Sequence, residues 1–244
     1  GNDNQGNEGV AIGIQAALTT QGTDAVAIGS QAAKTNQGAN SVAIGSNSGL
    51  TNQGTLSVAI GDDAGKTTQS TTATAIGSNA GEITQGAAAT AVGRSAGNDN
   101  QGAGSVAVGL EAAETNQGEY AIAVGAQAGE ITQGNNSVAI GTFAGQTSQA
   151  ANGIIVSSKG TAINDTSVGH VHLASTVASL DFTSAAGWSI SNGSVDVAFP
   201  STAGTLALTS DITGGSLTAI KYTSGSTFTC LLYTSPSPRD RTRS

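Results

Sequence analysis

The chain has 244 residues, of which 10% are charged and 3% aromatic, with 35 glycines and no methionine. That composition excludes a globular core of large side chains and leaves a thin, repetitive fold filled by Ala, Val and Ile. The net charge of -8 argues against nucleic acid as a partner, since phosphate binding needs basic patches, and no apolar run is long enough to insert in a membrane.

Gly1-Asn2-Asp3-Asn4-Gln5-Gly6 reproduces Gly97-Asn98-Asp99-Asn100-Gln101-Gly102. The chain is therefore expected to begin inside a repeat, as a piece of a longer protein. From there to Ser157 a 16-residue unit recurs. Gln5, Gln21, Gln37, Gln53, Gln69, Gln85, Gln101, Gln117, Gln133 and Gln149 mark the period, as do the glycines from Gly13 to Gly141. No insertion breaks the ten copies, so each must stack on the next in the same way. The period is too short for helical repeats, which need about 33 residues or more.

Each unit holds a three-residue block such as Val26-Ala27-Ile28 or Val106-Ala107-Val108. β-Branched residues at its first and third positions are strand chemistry. Side chains two apart share a face, so these two are expected to point into the coil interior. The alanine between them (Ala11, Ala27, Ala43, Ala59, Ala75, Ala91, Ala107, Ala123, Ala139) then faces outward, onto a surface that another backbone approaches closely. The glycine that follows permits a sharp corner. A second extended piece is expected at Ala80-Gly81-Glu82-Ile83 and its equivalents, and Thr-Gln-Gly or Asn-Gln-Gly turns the chain back. The prediction is an all-β parallel β-roll, a β-solenoid of ten 16-residue repeats, roughly 48 Å long at ~4.8 Å per coil. Stacked glutamines can form an amide ladder; the competing reading is an exposed Gln that merely suits a turn.

Ser-Val-Ala-Ile-Gly, as at Ser57-Val58-Ala59-Ile60-Gly61, followed by Ala-Gly (Ala64-Gly65) and a polar return, resembles the head repeats of trimeric autotransporter adhesins, the YadA-like heads. It also resembles related repeats of phage and large-virus fibre proteins, in which Ala-Gly-x-Thr-Asn-Gln-Gly recurs. The resemblance covers about two-thirds of the chain, residues 1–157, and the 16-residue unit favours the viral branch. It implies a left-handed roll, a homotrimer of side-by-side chains, and a non-enzymatic spacer or attachment role on a virion appendage such as a tail fibre. The partner would be a host-cell surface glycan or protein receptor. The alternative is the head of a bacterial trimeric autotransporter adhesin at the cell surface.

Asn152-Gly153-Ile154-Ile155-Val156-Ser157 departs from the pattern and reads as a capping coil or a junction. Residues 158–229 keep β patterning without the register, as in Leu180-Asp181-Phe182, Trp188-Ser189-Ile190 and Val195-Asp196-Val197-Ala198-Phe199. They are expected to form a β-rich shaft or connector. The stretch from Phe199 to Asp211 resembles a segment near the C-terminal part of phage tail fibres. Residues 230–244, beginning Cys230-Leu231-Leu232-Tyr233-Thr234-Ser235, resemble translated sequencing adapter and are expected to be a non-native tail. The tail contains the only cysteine and three of the eight basic residues.

No catalytic, cofactor-binding or metal site is assigned. Asp62-Asp63 most simply occupies a solvated turn. Calcium-binding Gly-Gly-x-Gly-x-Asp repeats are absent, and no lysine-bearing phosphate loop occurs. The column Thr19, Thr35, Thr51, Thr67, Thr115 and Thr147 invites an ice-binding reading, but Ile83, Asp99 and Ile131 interrupt it. His170 and His172 would share a strand face, and three chains would offer six imidazoles to a transition metal. The plainer reading is a surface pair in a loop.

Overall fold

The computed structural model describes residues 4–157, 160–166, 171–174, 188–191, 196–199 and 207–208. Every regular element among them is a strand. The chain divides into two units, Gly1–Ser179 and Leu180–Ser244.

The first unit is the β-solenoid, with about ten turns at 16-residue spacing. The blocks Val10–Ile12, Val26–Ile28 and their successors form one parallel sheet of eleven strands. Its register runs residue to residue across each period, as in Val42↔Val58, Ala43↔Ala59 and Ile44↔Ile60. The last pairing, Ile154↔Val171, spans one residue more and adds the strand Val171–Ala174. Ile155 takes the alanine position here and is fully buried, packed with Ile163. Among the described coils this one alone departs from the 16-residue spacing and takes a large side chain at the alanine position.

The second sheet consists of Thr35–Gln37, Thr51–Gln53, Thr68–Gln69, Thr84–Gln85, Asp99–Gln101 and Thr115–Gln117. The second extended piece therefore includes the Thr-Gln or Asn-Gln dipeptide that was expected to turn the chain back. Residues 78–81 form a turn instead. Left-handed corners explain the shift: Asn79 and Gly81 have φ of 59° and 54°, which breaks an extended run and bends the chain sharply.

The expected facing of the first strand is inverted. Ala27, Ala43, Ala59, Ala75, Ala91, Ala107, Ala123 and Ala139 are completely buried in the coil, and Val and Ile stand outside it. The reason is width. A methyl group built on Gly65 would lie 3.2 Å from the Ala59 side chain and 3.0 Å from the Gln69 carboxamide. A coil this narrow admits a methyl where a branched side chain would clash. Alanine, serine and glutamine fill it instead.

The corner glycines are required for two reasons. Gly61 has φ of 133°, and a Cβ there would meet the Gly77 carbonyl oxygen of the next coil at 2.5 Å. Glycine stacks directly on glycine because neither conformation nor space allows anything larger.

In the second unit, Trp188–Ser191 pairs antiparallel with Asp196–Phe199, which pairs in turn with Ala207–Leu208. Trp188-Ser189-Ile190 and Asp196–Phe199 are thus strands as their alternation predicts. Leu180-Asp181-Phe182 and residues 230–244 lie outside the described residues.

Candidate interaction surfaces

The coil interior is closed by a ladder of amides. Gln37, Gln53, Gln69, Gln85, Gln101, Gln117 and Gln133 each donate from Nε2 to Oε1 of the next glutamine at 3.0–3.2 Å. The same nitrogens donate across the coil to the first strand's carbonyls, from Val26 to Ile122, at 2.7–2.9 Å. These glutamines are almost fully buried, so the ladder reading holds and the exposed-turn reading falls. Each amide ties the two sheets together and ties one coil to the next.

The Val and Ile side chains are left on the outer face of the eleven-stranded sheet. Ile44, Ile76 and Ile140 are 36%, 38% and 39% exposed. From Val10 to Val156 both outward rows contain only Val, Ile and Thr, with no charge. At ~4.8 Å per strand the stripe is roughly 48 Å long, and with a width of ~10 Å it presents on the order of 500 Å². A contiguous apolar patch of that size is a candidate interaction surface.

A second surface runs along the corners. Asn47 donates to Asp63 at 2.9 Å, and Lys66 bridges Asp63 and Glu82 at 3.0 and 3.1 Å. Hydrogen bonds to these two carboxylates hold Lys66 above the usual lysine range. Burial pushes the Glu82 carboxyl up, but donors from Asn79, Lys66 and Asn98 outweigh it and hold the group below its ordinary value. Further along, Glu111, Glu114 and Glu130 can bring one oxygen each within 4.8 Å of one another. Burial, then the charges of Glu111 and Glu130, push the Glu114 carboxyl up. Oxygen donors suit a hard cation. Here Glu111 is engaged by Arg94 and Gln127, and Glu130 by Gln146, which continues the corner ladder.

The other candidate residues are placed as follows. Asp62 and Asp63 sit in a turn, with Asp62 exposed. Thr35 pairs with Thr51, but Asp99 pairs with Thr115 in the same sheet, so the threonine array is interrupted in space as in sequence. His172 belongs to the strand Val171–Ala174 opposite Ile155; its side chain and all of His170 lie outside the described residues.

The Val/Ile stripe was missed as a surface by strand alternation alone. A usable signal was present: the middle position is Ala in nine successive coils, whereas the first varies among Val, Thr and Ile. Strict smallness marks the confined side and variation the open one.

Residues 21–48 and 131–144 match the YadA head domain repeat, in two copies. No curated protein and no solved structure matches the chain. The intervening coils share the same register, Gln ladder and glycine corners. The chain therefore carries YadA-like head repeats, stacked into a β-solenoid.

Proposed function

We propose that this chain is a structural attachment protein that works as a homotrimeric rod, with a surface glycan or protein receptor of a host cell as its partner. The observation that carries the reading is the uncharged Val/Ile stripe along a coil whose own interior is already full. Three copies packing their stripes around a common axis would remove that surface from water, at about 25 cal/mol per Å² of apolar area. The corner ladders would remain outside, available to a receptor. Residues 158–229 serve as a connector in this reading, and 230–244 as a passive, non-native tail.

The finer assignment is a phage or virus appendage of the tail-fibre kind, supported by the 16-residue unit and by the Phe199–Asp211 stretch. The second reading is the head of a bacterial trimeric autotransporter adhesin, favoured by the match to the YadA head repeat. Neither requires a catalytic step.

Light scattering on the full chain tests the assembly. A mass three times the 23.6 kDa chain is expected, and a monomer at micromolar concentration overturns the reading. Binding of the labelled trimer to bacterial surfaces is expected for a fibre. Binding to extracellular matrix instead decides for the adhesin head.

A further inference from the structure

The Val/Ile stripe is not uniform along its length. Its first row is Val at 26, 42 and 58, Thr at 74 and 90, and Val again at 106. Thr74 and Thr90 are direct neighbours in the sheet, both half-buried on the outward face. Their hydroxyls have no hydrogen-bond partner among the described residues. The second row steps from Ile76 down to Val92 at the same place.

A stripe that repeats every coil has almost equivalent axial alignments against a copy of itself, because sliding by one coil sacrifices contact only at the ends. Two hydroxyls in its middle remove that degeneracy. Threonine both donates and accepts, so threonines of facing copies can satisfy one another in a ring. Slid by one coil, one threonine of each chain still meets a threonine, but the other faces valine methyls and its hydroxyl is buried without a partner, which is the costly arrangement. A polar residue within an apolar seam is a known way to specify register.

We propose that Thr74 and Thr90 set the axial register in which copies of this chain associate. The proposal rests on the homotrimer above, and it commits the stripe to further copies of this chain. An uncharged surface of this length suits a self-complementary apolar partner, and two adjacent polar rungs match in full only in register: a slide of one coil keeps one match and a longer slide keeps none.

Disulfide trapping in the full chain tests it, with Cys230→Ser throughout. Chains bearing Ile44→Cys are co-assembled with chains bearing Ile60→Cys and oxidised. One coil is ~4.8 Å, enough to take a cysteine pair out of bonding range. Like-to-like links are expected, with mixed links below about a tenth of the total. Adding Thr74→Val and Thr90→Val should preserve assembly and raise mixed links about fivefold or more, whereas Thr74→Ser with Thr90→Ser restores like-to-like pairing. The pair Val42→Cys and Val58→Cys repeats the test on the other row. Unchanged like-to-like pairing in the double valine variant overturns the proposal and leaves the trimer standing. A monomer by light scattering overturns the trimer itself, before any disulfide is formed.

Discussion

Gln69 donates through Nε2 to Gln85 Oε1 at 3.0 Å, one full coil away, and also to the Val58 carbonyl across the coil at 2.7 Å. One buried amide thus spans both directions in which the solenoid must hold together. With an interior built largely of alanine methyls, the apolar contribution per coil is small. Directional bonds therefore carry more of the specificity than in an ordinary core.

Replacing Gln85 with Met should make this visible. Methionine keeps the volume but loses the acceptor for Gln69 and the donors to Thr74 and Gln101. Leaving buried amide groups unpaired costs about 1–3 kcal/mol each, so Gln85→Met should destabilise by roughly 2–4 kcal/mol in chemical denaturation. Thr84→Val, at an exposed position of the same strand, should change little. Equal midpoints for the two variants would mean that the ladder contributes no stability.

The inverted facing of the first strand separates folding from association at adjacent residues. Ala75 is sealed in the coil and Ile76 is outside it. Ala75→Arg would bury an unpaired charge and should abolish the β-sheet circular dichroism, a loss above about 4 kcal/mol. Ile76→Arg should keep the β spectrum but weaken the proposed trimer, about tenfold or more in the dissociation constant. Sedimentation of the two variants checks this, and a folded Ala75→Arg chain would contradict the packing.

The corner carboxylates should divide the pH dependence between them. The folded-state pKa of Glu82 is lowered, so its stabilisation is present above the unfolded value and disappears as pH falls through the folded one. That of Glu114 is raised, so the group opposes folding at neutral pH and the penalty is relieved on acidification. Because both are partly solvated, shifts of about 1–3 °C are expected. Glu82→Gln should melt lower than wild type at pH 7, and Glu114→Gln higher, with both differences shrinking by pH 4 or below. Parallel melting curves across that range would refute the assignment. For Lys66 the raised value acts at the other end: its contribution should persist to about pH 10 and fade above it.

Much of this protein was legible in its sequence because repetition converts spacing into geometry. Glutamines and glycines recurring every 16 residues already imply in-register parallel coils, since any other stacking would place unlike residues side by side. The glycine column likewise announces a corner too tight for a Cβ, as Gly61 against Gly77 bears out. Strand alternation also states that Ala75 and its neighbours Thr74 and Ile76 face opposite ways. It cannot say which way is in. That was decided by coil width, and width depends on the left-handed corners at residues such as Asn79 and Gly81 together with the span of Gln85 from one sheet to the other. Only after those close around the chain is it settled that the regular 16-residue coils have interior space for a methyl and none for an isoleucine, and that their larger side chains are left outside.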